Sequence, residues 1–226
     1  MSHFDYRPSY RRNLPHIQPP GATFFVTFHL AGSLPRDVIV QWNNERRWLE
    51  HVARDNPVHY QRVKADFERL WFAKFEVILA GAKDGPLWLN DERVAGIVAD
   101  SLHYRDGKVY RLDAFSIMPN HVHTVFKPLS IIRDGSQKNL ALIGADPSDL
   151  EYHSLAKIRQ SLKGYTSYKT NRILGRQEEF WAHESYDHYV RDDEEWQRLI
   201  RYTVNNPVKA GYRKHWREWK WNYRRT

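Results

Sequence analysis

Aromatic and β-branched residues crowd positions 23–30 (Thr23, Phe24, Phe25, Val26, Thr27, Phe28, His29, Leu30), which predicts a β-strand. Gly32 and Pro35 then turn the chain. From Arg36 to about Asp55 the apolar positions Val38, Val40, Trp42, Trp48, Leu49 and Val52 recur at helical spacing, and a second charged helical stretch follows over about 58–80. Gly85 and Pro86 break it. Asn90 or Asp91 is placed to cap a helix carrying Val94, Ile97, Val98 and Leu102, and Gly107 ends that helix. Two strands are expected next, over 109–118 and 121–127, turned back to back by Pro119 and Asn120. A helix over about 154–173 and another opening at Asp192 and Asp193 complete the pattern. Pro207 predicts that the last helix stops near Asn205, with Asn206 at its end.

Strand, helices, two antiparallel strands and helices again is an α+β order: a small antiparallel sheet with helices packed on it. No stretch divides the 226 residues into halves, so one domain over 1–226 is expected. Residues 1–22 read as a basic, proline-rich extended arm. Residues 129–150 read as a long mobile loop, and 210–226 as a basic, aromatic tail.

Charge and composition narrow the function. Lys and Arg exceed Asp and Glu by 35 to 27, a formal +8, and 14% of the chain is aromatic, with nine Trp. A cationic surface interleaved with rings suits single-stranded nucleic acid, whose bases stack while its phosphates meet Lys and Arg. With no cysteine, disulfides, thiolate metal sites and a Cys nucleophile are excluded. No signal peptide and no membrane-length apolar run is read, so a cytoplasmic protein without membrane contact is expected.

The chemistry centres on His121 and His123. In a strand, residues i and i+2 share a face, so both imidazoles stand together while Val122 points to the other side. Two neutral imidazoles form most of a divalent metal site, although the same pattern also describes two polar residues facing solvent. Tyr202 and Asn206, four apart, share one face of the last helix. If that face lies over the histidines, Asn206 adds an oxygen ligand and Tyr202 a nucleophile. Otherwise Tyr202 is a core residue beside Leu199 and Ile200, and Asn206 a helix cap. Mg²⁺ or Mn²⁺ suits such a mixed set, Mn²⁺ better because of the imidazoles. Tyr165, among basic residues, is a second nucleophile candidate without ligand-type residues at a matching offset.

Four segments carry a resemblance. They are 10–16 with 20–28; Met118, Pro119, Asn120, His121, Val122 and His123; 180–188; and Arg201 through Gly211, including Asn206, Pro207, Val208, Lys209 and Ala210. With these the chain resembles the REP-associated tyrosine transposases, relatives of the IS200/IS605 single-tyrosine HUH enzymes. The resemblance implies a ferredoxin-like, RRM-like palm with His121 and His123 on a central strand as metal ligands, Asn206 as the third ligand and Tyr202 as the nucleophile. It implies cleavage and rejoining of single-stranded DNA at palindromic hairpins through a 5′-phosphotyrosine, in a monomer. Residues 45–80 and 129–150 are longer than the family's compact core.

For DNA contact the expected cations are Arg11 and Arg12 on the arm, Lys157, Arg159, Lys163 and Lys169 on the 154–173 helix, and Arg213, Lys214, Arg217 and Lys220 on the tail. The tail reads equally as a segment folded back with its Trp residues in a groove. Two other classes stand beside the transposase. One is a domesticated protein that holds DNA or RNA hairpins without cutting. The other is a hydrolytic metal phosphoesterase, which needs an Asp or Glu near the histidines, and none lies within 121–126.

Overall fold

The computed structural model describes residues 9–11, 15–17, 21–55, 57–81, 85–132 and 150–226. In chain order these form β1 (Ser9–Arg11), β2 (Pro15–Ile17), β3 (Phe24–Leu30), α1 (Arg36–Asp55), α2 (Pro57–Gly81), α3 (Glu92–Arg105), β4 (Tyr110–Ile117), β5 (His121–Pro128), β6 (Ser130–Ile132), β7 (Leu150–Tyr152), α4 (Leu155–Leu174), β8 (Trp181–Tyr189), α5 (Asp193–Lys209) and β9 (Asn222–Arg224). Single 3₁₀ turns lie at Trp88–Asn90 and Trp216–Glu218.

Five strands pair antiparallel in the order β8-β3-β5-β4-β9. Leaving out the last strand, the β-α-β-β-α-β order and the central placement of β3 and β5 are those of a ferredoxin-like sheet. The fold is α+β, as the pattern predicts. Period-two alternation sorts β3 into two faces. Phe24, Val26, Phe28 and Leu30 join Val98, Leu102, Ile158 and Leu162 of α3 and α4 in one core. Phe25 faces the other side and packs with Ala114, Val125, and Ile200 and Val204 of α5. His121, His123 and Val125 point to this second face, so the two histidines lie under α5.

Four expectations need correction. The last helix does not stop at Asn205: α5 runs to Lys209 with Pro207 inside it. Pro207 lacks only the N–H that would reach the Thr203 carbonyl, and the turn is held by Ala210 N–H donating to the Asn206 carbonyl and Tyr212 N–H to the Pro207 carbonyl. The 180–188 segment, left without an element, is the edge strand β8. Its period is hidden because the face toward α4 carries Asp187 in a buried ion pair with Arg159 where an apolar residue would be expected. Within 1–22, Ser9–Arg11 and Pro15–Ile17 pair as two antiparallel strands, not a wholly extended arm. The tail takes the folded-back form of its two expected ones: β9 adds to β4, Tyr223 stacks on Phe115, and Trp219 Nε1 donates to the Ile117 carbonyl. Of the 129–150 loop, both ends pair as β6 and β7, and 133–149 lies outside the described residues.

Candidate functional site

β5 and α5 bring the four expected residues together. His121 and His123 Nε2 atoms are 3.0 Å apart, and the Asn206 side-chain nitrogen is 3.0 Å from His123 Nε2. The Tyr202 ring lies edge-on to the His123 ring, with centroids 5.6 Å apart. The helical spacing of Tyr202 and Asn206 works because α5 continues through Pro207, which keeps both on the face toward the sheet.

A fifth residue joins them. Glu76, on α2, accepts a hydrogen bond from the Tyr202 hydroxyl and places the same oxygen, Oε2, 3.3 Å from His123 Nε2 and 3.5 Å from the Asn206 side-chain nitrogen. His121, His123 and Glu76 form a group able to hold a metal ion, their ligand atoms all within 4.8 Å of one another. Sequence reasoning missed Glu76, because it sits 45 positions before His121. A signal was present nonetheless. Glu76 falls one turn after Phe72 and beside Phe75 in an otherwise apolar helix stripe that runs on to Leu79, and a carboxylate on a core-facing stripe marks a buried acid.

The ring orientations are set from behind. The Asn120 amide donates to the Leu79 carbonyl of α2 at 2.9 Å, which turns its oxygen toward His121 Nδ1 at 2.6 Å. His121 Nδ1 therefore carries the proton and Nε2 the lone pair. Thr27 Oγ1 meets His123 Nδ1 at 2.8 Å, and the Asn206 amide donates to His123 Nε2, which thus also presents a lone pair. Two lone pairs and a carboxylate oxygen converge, with only the Asn206 amide and the Tyr202 hydroxyl to donate to them. Glu76 Oε1 is buried with no hydrogen-bond partner. Such a knot of acceptors fits a divalent cation, which would offset its mutual repulsion.

Burial dominates the electrostatics. Desolvation lowers the His121 pKa to about 3, with His123 adding to the effect, so the ring is neutral and ready to ligate. Burial works to raise the Glu76 pKa, but the charges that His123 and His121 carry when protonated, with hydrogen bonds from protonated His123 and from Tyr202, outweigh it, giving a value of about 2. The Tyr202 hydroxyl is pushed far above its ordinary value, first by desolvation and then by the Glu76 charge and hydrogen bond. His121, His123 and Asn206 are all buried.

The expected DNA cations divide. Arg159 is buried and ion-paired with Asp187 of β8 at 2.9 Å. Lys163 donates to the Ala182 carbonyl at 2.9 Å and reaches those of His183 and Glu184. Both therefore tie α4 to the edge strand. Lys157 is half-buried, and Lys169 is exposed beside the Tyr165 ring. Arg213, Lys214, Arg217 and Lys220 are exposed, Lys220 in an ion pair with Glu92. Arg11 lies in β1, and Arg12 lies outside the described residues. Tyr165 is half exposed on α4, whose packed residues line the opposite core from the His121/His123 face. Among the described residues no helix is long and apolar enough to cross a membrane.

No family model matches the chain. An uncharacterized protein of Haemophilus influenzae is 28% identical over 102 residues, 43% of this chain and 54% of that protein, so the chain spans about half the length of this curated relative. A solved structure of a REP-associated tyrosine transposase bound to a REP hairpin is similar over 98% of this chain and 82% of its own, at 16% identity and a TM-score of 0.42.

Proposed function

We propose that the chain is a single-tyrosine, metal-dependent nuclease and strand transferase acting on single-stranded DNA. Tyr202 is the nucleophile, and His121 and His123 hold Mg²⁺ or Mn²⁺ together with Asn206, whose amide must flip so that its oxygen replaces the nitrogen now facing His123 Nε2. The observation that carries this reading is the meeting of the Tyr202 hydroxyl, the Asn206 amide and both His Nε2 atoms in one buried cluster. The bound cation would neutralise phosphate charge and polarise the scissile group. Tyr202 Oη forms a bond to phosphorus while the P–O3′ bond breaks, and the phenolic proton passes to Glu76 Oε2, already its acceptor. The departing 3′ oxygen takes up a proton and leaves as a free 3′-OH, with the 5′ phosphate on Tyr202. Attack by a 3′-OH on that phosphotyrosine reverses the step and rejoins the strand.

Two features support the substrate and the assembly. The net basic charge and the blocks Met118 to His123 and Asn206 to Gly211 favour DNA hairpins of the palindromic kind. Tyr202 meets the histidines of its own chain, which favours a monomer. A second reading, a hairpin-binding protein with little cleavage, draws support from the burial of His121 and His123, since a phosphate needs access to both.

The test is a covalent protein–DNA band on a denaturing gel, using Mn²⁺ and labelled single-stranded hairpins from the DNA flanking the gene. The expected band disappears with Tyr202→Phe and persists with Tyr165→Phe. Binding without a band favours the hairpin-holding reading. Cleaved product without a band points to hydrolysis, for which Glu76 supplies the carboxylate that 121–126 lacks.

A further inference from the structure

A cavity of about 200 Å³ lies between the α1–α2 pair and the edge formed by β3 and β8. Its walls are aromatic. Phe72 and Tyr186 stack with centroids 4.4 Å apart, and Trp42 and Phe75 meet edge to face at 5.8 Å. The volume is below the roughly 300–1,000 Å³ of sites that enclose drug-sized ligands, so it admits one ring system and not a whole nucleotide.

A buried acceptor sets this cavity apart from a packing defect. Glu76 Oε1 belongs to a lining residue and is buried without a hydrogen-bond partner. Buried polar atoms are almost always paired, and an apolar void has no use for orphaned ones. His29 also lines the space. Its Nδ1 donates to the Leu30 carbonyl at 3.1 Å, which leaves the other ring nitrogen as an acceptor. A flat ring between aromatic walls, bearing N–H groups for a carboxylate oxygen and an imidazole nitrogen, satisfies these atoms.

The cavity also adjoins the chemistry. Glu76 lines it and binds the Tyr202 hydroxyl, and Thr27 lines it and holds His123 Nδ1. An occupant therefore sits one side chain away from the reacting phosphate.

We propose that this cavity receives one unstacked nucleobase of the DNA strand, next to the scissile phosphate, and that it favours bases with an exocyclic amino group over thymine. The proposal rests on the reading of the chain as a single-stranded DNA nuclease and adds to it a base-reading site made by α1, α2 and β8. A flipped base is held by stacking and by hydrogen bonds to its edge. Cytosine, adenine and guanine each offer an amino group to the acceptors Glu76 Oε1 and the His29 ring nitrogen, whereas thymine offers a single ring N–H.

The experiment uses the full chain, Mn²⁺, and the flanking-DNA hairpins with one abasic site stepped through the positions beside the cleavage point. Affinity is read by fluorescence anisotropy with the Tyr202→Phe variant, so that no strand is cut. One position is expected to lose about tenfold or more in affinity when abasic, the scale of one stacked base. Thymine there is expected to bind more weakly than cytosine. Ile39→Trp, which narrows the cavity from α1, and Phe75→Ala, which removes a wall, are expected to bind the intact hairpin about as the abasic one, with circular dichroism confirming that each is folded. A flat abasic scan overturns the base site, as does a sensitive position that stays equally sensitive in both folded variants. Failure of every hairpin to bind removes the DNA reading itself, a result distinct from a flat scan with tight binding.

Discussion

Tyr202 donates its hydroxyl hydrogen to Glu76, a residue 126 positions earlier on a different helix. The pair binds α2 to α5 over the histidines and gives the tyrosine a proton acceptor. It also opposes ionisation while the carboxylate is free, because the Glu76 charge raises the Tyr202 pKa. Under the proposed function, Glu76 therefore couples the state of the cation site to that of the nucleophile.

Glu76→Gln tests the coupling in two ways. Removing the negative charge should lower the Tyr202 pKa, so that in absorbance titration of the cation-free protein one tyrosine moves down toward the ordinary value near ~10. Calorimetric titration with Mn²⁺ should show affinity lower by at least the ~10–100-fold seen when a residue supporting a metal site is lost. Unchanged Mn²⁺ affinity in Glu76→Gln, alongside a loss in His123→Ala, would leave Glu76 as a partner of Tyr202 alone.

Much of this site is legible in the sequence for a physical reason. His121 and His123, and Tyr202 and Asn206, are each related by the period of one element, and a periodicity can be read along a chain. Glu76 is related to them only through the docking of α2, which local pattern does not encode. The same distinction runs through the fold. The central strands β3, β4 and β5 and the helices announce themselves because they bury a face or a stripe. The edge strands β8 and β9 bury less, and β9 is recruited from the tail by Trp219 and Tyr223. The cations of α4 show the converse limit: Arg159 and Lys163 read as solvent-facing charges, and only the packing of β8 against α4 reveals their partners.

Acid should destabilise the cation-free protein earlier than carboxylate protonation requires. His121 falls from an ordinary 6.5 to about 3, chiefly by burial, and His29 to about 4 for the same reason. Their folded values lie below the unfolded ones, so the unfolded chain takes up protons first as pH drops. The stability they represent is fully present above about 6.5 and is lost as pH falls through about 4 and then 3. Urea unfolding in EDTA at pH 7, 5.5 and 4.5 should show a loss on the order of 5 kcal/mol across the series, about half from each ring. A flat profile from pH 7 to 5 would mean that these rings are solvated in the native state.

Arg159→Ala should act on stability and not on DNA affinity. Its side chain is 7% exposed and that of Asp187 2% exposed, so removing the guanidinium leaves a buried carboxylate without its ion-pair partner. The expected cost is about 3–5 kcal/mol, seen as a lower urea midpoint. Asp187→Asn in the same background should recover part of it, because the stranded charge is gone. An Arg159→Ala protein of normal stability that binds hairpins weakly would place this arginine on DNA instead.

Arg213, Lys214 and Arg217 predict the opposite outcome. All three are exposed, and Arg213 and Arg217 lie over the Trp219 and Trp216 rings at 5.4 and 4.7 Å. The rings are held by the fold, since Trp219 donates to the Ile117 carbonyl and Trp216 packs near Ile200 and Val204. The folded-back tail therefore presents a fixed row of cations, which reconciles the two readings of 210–226: its aromatic residues anchor while its charges face out. Neutralising the three should leave the unfolding midpoint within about 0.5 kcal/mol of the parent. If each meets a phosphate, hairpin affinity should fall. The slope of log affinity against log salt should also flatten by roughly 0.7 per lost contact on a single strand, about 2 in all. A triple variant with an unchanged salt slope would show that the strand enters from another side of the sheet, and the exposed Lys169 on α4 would be the next cation to remove.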